Sequence, residues 1–269
     1  MNNHISYTPD NIAAAKTPPA VDASGYEVFS RGPLGKAHAL AHHLTDTAQW
    51  RLGRQLLSEW LDTQSGEGSD WIHLQFHMAV FELALDDWSS AHRRFRREIL
   101  PAGASTAQAL TDAPAVLWWL TLSAPAPVTL AWEPIRRTAL THLYETNEPF
   151  VQLHHLMALA GAKDTDSIAL WLGTFPTSAT AVEQSILKRF AHAMLALSCD
   201  EFAMATKRLH SILPELALIG GSQVQNQLFE RLAVWTARQA GSAANVPFAH
   251  GPVSYTHLTL PTTLNSWRA

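Results

Sequence analysis

Histidine is the residue type through which this sequence offers chemistry. His38 and His42 are four apart, and so are His73 and His77. On a helix, that spacing puts both rings of a pair on one face, one turn above the other. Two imidazoles approaching from one side can chelate a divalent transition metal. His154 is a candidate fifth ligand from a third helix. Asp46 lies four after His42 and Asp70 three before His73, so each pair has a carboxylate on its own face. Such carboxylates serve as ligands or as outer groups that hold a ring in one tautomer. Neither pair reads H-E-x-x-H, so the general base of a zincin is missing from its usual place. The competing reading is a hydrogen-bonded histidine network that locks helices in register. His43 and His155 adjoin the set but sit about 100° round the helix and are expected to face elsewhere.

These residues need helices to position them, and the sequence supplies helices. Of its 269 residues, 47% are hydrophobic and 16% charged, enough for a large core and unlike a disordered chain. From Pro33 onward, apolar residues recur at three and four, as at Leu34, Ala37 and Ala41. Further helices are expected over about 49–61, 70–85, 88–99, 107–122, 132–145, 149–160, 167–175, 181–197, 201–213 and 223–240. Ser69 suits the N-cap of the third, and Pro101 with Gly103 should stop the fourth. Asp112 reads most simply as an N-cap before Ala113-Pro114, with the histidine set as its other possible partner. Helix pairs of 30–40 residues joined by short turns predict an all-α, TPR-like solenoid over 33–241. Residues 1–31 read as a poorly ordered lead-in. Residues 252–269, beginning Pro252-Val-Ser-Tyr-Thr-His-Leu, break the composition and read as translated sequencing adapter rather than native chain.

Other features exclude more than they assign. A net charge of −4 leaves no basic stripe for nucleic acid. Arg93, Arg94, Arg96 and Arg97 read as a solvated helix face. No apolar run reaches membrane-span length, and no secretory leader is visible. Cys199, the single cysteine, fits a reducing cytoplasmic setting, and Asp200 beside it disfavours a thiolate. Gly220-Gly221-Ser222 reads as a turn with a serine cap, and Trp118-Trp119 as packing between helices.

Five stretches, in order, resemble the tetratricopeptide repeat protein 38 family. They are His38-Ala-Leu-Ala-His42; His73-Leu-Gln-Phe-His77 leading to Ala79, Phe81 and Glu82; Asp112-Ala113 with Leu117-Trp118-Trp119-Leu120; Phe150-Val-Gln-Leu-His154 with Met157-Ala158; and Ile219-Gly-Gly-Ser222 with Gln225 and Phe229. Three positions depart from the pattern. Thr45 stands where the family has an acidic residue, as does Gln152, and Asn226 stands in place of an arginine. The resemblance implies a TPR-like fold and a chain truncated at both ends relative to its relatives. Two functions are expected. The first is a cytoplasmic binding or scaffold protein that holds a protein, peptide or small ligand in a concave groove. The second is a metal-binding protein or metal-dependent hydrolase using His38, His42, His73, His77 and His154, with Asp46, Asp70 or Asp112 in support.

Overall fold

A computed structural model of the chain describes residues 34–241, except 65, 67, 127, 147 and 175–179. The expected lead-in, Pro33 and the adapter-like tail lie outside the described residues. The regular elements among those residues are all helical. They are α1 (Leu34–Asp46), α2 (Trp50–Thr63), α3 (Ser69–Ala84), α4 (Trp88–Arg94), α5 (Leu100–Gly103), α6 (Ala113–Ser123), α7 (Trp132–His142), α8 (Pro149–Gly161), α9 (Thr165–Gly173), α10 (Ala181–Ser198), α11 (Phe202–Leu216) and α12 (Gln223–Gln239). None is long and apolar enough to cross a membrane.

One turn recurs at four helix–helix junctions. Ala48, Asp86, Lys163 and Asp200 each adopt a left-handed φ between 55° and 60°. The next residue then donates its N–H five residues back, from Gln49 to Leu44, Asp87 to Glu82, Asp164 to Leu159 and Glu201 to Ala196, each at 2.9 Å. This satisfies carbonyls that the ending helix would otherwise leave bare. Asp86 and Asp200 tolerate the left-handed region, whereas Ala48 and Lys163 enter it against their preference. Each turn opens a second helix with a bulky N-terminal residue or a capped one. Trp50, Trp88 and Phe202 begin three of them, and Asp164 caps the fourth by accepting from the Ser167 N–H. Arginines tie neighbouring hairpins. Arg54 of α2 reaches Asp87 at 2.9 Å, and Arg136 of α7 reaches Asp164 at 2.7 Å.

The helices that begin each hairpin pack in series, α1 on α3, α3 on α6, α6 on α8 and α8 on α10. Helix α12 lies against α11 and α6 and also touches α1. Helices α3, α6 and α8 are apolar nearly all round and largely buried, as central helices must be. One core runs through most of the molecule. A smaller one joins α1 and α2 to the side of α3 that carries Leu74, Met78 and Phe81.

Several expected boundaries move. Helix α3 starts one residue early, with Gly68 as N-cap, and Ser69 makes no capping bond. The helix after Asp87 does not stop before Pro101. It widens into a π-turn at Phe95–Ile99 and continues to Gly103. Proline lacks an N–H and crowds the carbonyl four residues back, and a wider turn relieves both. The helix expected over 107–122 is a 3-10 turn at Ala107–Leu110 followed by α6, with Pro114 in its first turn. Arg94 is no solvated side chain. It makes a two-pronged bond to Glu82 and a third bond to Gln75 at 2.6 Å.

Gly53 is buried at the α2–α3 contact, where an added Cβ would lie 2.5 Å from the Phe81 ring. Alanine is otherwise the better helix former by about 1 kcal/mol. Here the clash should outweigh that gain. Gly53→Ala is expected to lower stability in urea unfolding by about 1–3 kcal/mol, with partial recovery when combined with Phe81→Leu. A more stable Gly53→Ala protein would contradict the packing described.

Candidate metal centre

The α1–α3 crossing brings the two histidine pairs face to face. One nitrogen from each of His38, His42, His73 and His77 lies within 4.8 Å of the other three. His38 Nε2 and His42 Nε2 are 2.9 Å apart, and His73 Nε2 is 3.4 Å from His42 Nε2. Four ligands about 2.0–2.1 Å from one ion in a tetrahedron would be separated by about 3.4 Å. Of the observed spacings, 3.4 Å matches that value and 2.9 Å is shorter, and small ring rotations would adjust the rest. Three Nε2 atoms crowd one point, yet each neutral ring nitrogen there offers a single proton or a single lone pair. A shared cation could accept a lone pair from each of these nitrogens at once.

Outer groups hold two of the rings. His73 Nδ1 donates to Asp112 Oδ1 at 2.8 Å, since a carboxylate can only accept. That leaves His73 Nε2 turned inward, the pattern in which a carboxylate orients a ligating histidine. His77 Nδ1 is 3.3 Å from Thr45 Oγ1, and its Nε2 is buried without a partner. His77 is fully buried at the floor of the site, while His38, His42 and His73 are only partly covered and reach towards solvent.

Burial dominates the electrostatics. It lowers the pKa of His38, with the charge of His73 adding to the effect and Asp70 and Asp112 opposing it. His42 is lowered to about 3 by burial and by the charges of His73 and His38. His77 is held well below 6.5 by burial and by the other three rings. Burial acts on His73 in the same direction, but the charge and hydrogen bond of Asp112, with the charge of Asp70, leave its pKa raised. Three of the four rings are therefore uncharged at neutral pH, the state in which imidazole ligates.

The other expected site residues divide. Asp112 occupies the N-cap position of α6 with helical φ and ψ and makes no capping bond; its Oδ1 accepts from His73. Asp70 is exposed and acts on His38 and His73 only through its charge. Asp46 is not in the cluster; burial raises its pKa and its charged neighbour is His43. His154 is not a member either. Its Nδ1 donates to the Phe150 carbonyl at 2.8 Å, and its buried Nε2 has no partner. The back-bond runs one turn along α8, and the charge of Asp112 reaches the ring. His155 is also buried, with neither ring nitrogen partnered. Thr45 was missed by the sequence reading, which sought carboxylates there. Its position three after His42, facing the same seam, was the available signal.

The five stretches singled out in the sequence meet in a chain of contacts. His38 and His42 meet His73 and His77, and His73 meets Asp112. Trp118 Nε1 donates to the Met157 carbonyl at 3.0 Å. Phe150 packs on Gly221, whose φ of 91° and lack of a Cβ allow the ring within reach. Gln225 accepts from the Ser222 N–H at 2.8 Å, so the Gly-Gly-Ser turn carries a helix cap. Cys199 is exposed at the end of α10. A concavity of about 580 Å³ lined by Arg51, Arg54, Gln55, Ser58, Glu59 and Leu85 contains no histidine. Scans of protein-family profiles, curated proteins and solved structures return no match to this chain.

The lowered imidazoles set a pH dependence for stability. A histidine with a lower pKa when folded stabilises fully above its unfolded value near 6.5 and loses that contribution as pH falls towards its folded value. His42 and His155, both lowered to about 3, and His77 all act in this direction. His73 acts oppositely, its contribution being lost as pH rises through its raised value, and it is outnumbered. Each pKa unit corresponds to about 1.4 kcal/mol. The metal-free protein should therefore lose thermal stability steadily from pH 7 to pH 5, above the range where most carboxylates titrate. An unchanged melting temperature across that interval would be inconsistent with neutral buried histidines.

Proposed function

We propose that this protein binds one divalent transition metal ion between α1 and α3, through His38, His42, His73 and His77. The observation that carries the proposal is the convergence of four imidazole nitrogens within 4.8 Å, with Asp112 behind His73. An all-imidazole set suits zinc, copper, iron or nickel and not magnesium or calcium, which take oxygen ligands. Neutral ligands leave the ion its full charge. A water would have to add as a fifth ligand or displace one ring, and an ion so hydrated would acidify it, so hydrolysis is the reaction class we propose to screen. Solvent reaches the site past His38, His42 and His73, which gives a water or substrate its approach.

We further propose that the scaffold is a TPR-like solenoid of the kind found in the tetratricopeptide repeat protein 38 family. The recurring turn and the serial packing of α1, α3, α6, α8 and α10 support that reading. So does the way the five family-like stretches touch one another. A cytoplasmic protein fits the exposed lone cysteine. Holding a peptide or small ligand in a concave groove is the less favoured role. Helix α12 packs on α6 and reaches α1, so the chain's own last described helix covers part of the inner row.

The test is elemental analysis of the full chain, purified without a histidine tag and incubated with zinc, then freed of excess. One equivalent of metal is expected in the parent. The His73→Ala/His77→Ala protein should lose it while staying helical, and His154→Ala should keep it. Retention should fall in acid as the imidazoles take up protons, with the lowered values of His38, His42 and His77 carrying the loss to more acid pH than free imidazole would show. A parent that holds no zinc, copper, iron or nickel would overturn the proposal.

A further inference from the structure

Thr45 lies one turn after Ala41 on α1 and is 3% exposed. Its hydroxyl has one hydrogen and two acceptor lone pairs. Thr45 Oγ1 is 2.7 Å from the Ala41 carbonyl oxygen, which can only accept, so that bond takes the hydrogen. What the oxygen then presents to His77 Nδ1, 3.3 Å away, is a lone pair. Only a protonated Nδ1 makes a favourable contact with it. A neutral imidazole has one N–H, so the proton on Nδ1 leaves Nε2 bare. The opposite tautomer incurs two penalties. It sets a nitrogen lone pair against an oxygen lone pair, and it leaves an N–H at His77 Nε2, which is buried with no acceptor.

We infer that Thr45 is a positioning residue that fixes the tautomer of His77, holding its Nε2 lone pair ready for a metal ion before any ion arrives. Asp112 does the same for His73 on the adjacent turn of α3. The two ligands of α3 thus share one arrangement, with Nδ1–H anchored outward and Nε2 turned to the ion. The anchors differ in kind, since Asp112 is a carboxylate and Thr45 a neutral hydroxyl borrowed from α1. Through this bond α1 contributes more than its own two ligands, because it also orients a ligand of the opposite helix. Preorganisation of this type lowers the cost of binding, and losing an outer partner typically weakens metal affinity by about 10–100-fold.

The inference rests on the metal-site reading, but the tautomer can be read without metal. The experiment is two-bond ¹H–¹⁵N NMR on the full chain with ¹⁵N-labelled histidine, metal-free at pH 8, with His77→Gln to assign the signal. The parent should show His77 protonated at Nδ1. Thr45→Val keeps the side-chain volume and removes the acceptor. It should shift His77 towards the Nε2–H form and weaken zinc binding by about 10–100-fold, and Thr45→Ser should restore both. A parent with His77 protonated at Nε2, or a folded Thr45→Val protein with unchanged tautomer and zinc affinity, would overturn the inference. If the parent takes up no zinc, the metal-site reading fails, and the tautomer signals of parent and Thr45→Val still decide the role of Thr45.

Discussion

Four imidazoles can share the seam between α1 and α3 only while most of them remain uncharged. Much else in the structure follows from that constraint. Burial pushes the pKa values of His38, His42 and His77 down. The cation the cluster tolerates most readily sits on His73, where Asp112 faces it. Asp112, turned to His73, makes no capping bond, and α6 begins with Pro114 in its first turn. The seam holds close contacts between ring nitrogens and a buried His77 Nε2 with no partner. In the proposed function, a bound cation would cross-link α1 to α3 through these rings.

That cross-link joins unequal partners. Helix α3 belongs to both apolar cores, with Phe76 and Val80 in the larger and Leu74 and Phe81 in the smaller. The α1–α2 hairpin places its buried apolar residues in the smaller one, with Trp50 also packing on the larger, and α1 buries little beyond Ala37, Ala41, Leu44 and Thr45. Small residues let α1 approach α3 closely enough for four rings to meet, at the cost of apolar area. Elsewhere the hairpins are joined by larger apolar contacts, while arginines on the aspartates of the repeated turn serve this junction and the α7–α8 one alike. The histidine cluster therefore sits beside the smaller of the two apolar cores.

Much of the fold was legible in the sequence, because the apolar period of 3.6 is strong and the turn residues are sharp. The limits of α2, α8, α10 and α12 fall within about two residues of the pattern. The errors came where a proline or an aspartate served a second purpose. Pro101 was read as a stop, but a π-turn absorbs it. Asp112 was weighed first as a cap, but it is bonded to a side chain 39 residues earlier, which no local pattern encodes. The four histidines of the site were legible from the i, i+4 spacing alone. His154 was not separable from them, since periodicity gives the face of a helix but not which neighbour that face meets. Thr45 stayed hidden because a hydroxyl bonded to its own helix looks like an ordinary buried threonine.

The central claim is that His38, His42, His73 and His77 ligate one ion. Anomalous diffraction at the zinc edge, from crystals of the zinc-loaded protein, tests it most directly. A single strong peak between α1 and α3, about 2.0–2.1 Å from nitrogens of all four rings, is the predicted result. A zinc peak held elsewhere, or a well-ordered seam in which the four rings bond only to one another and to water, would contradict it.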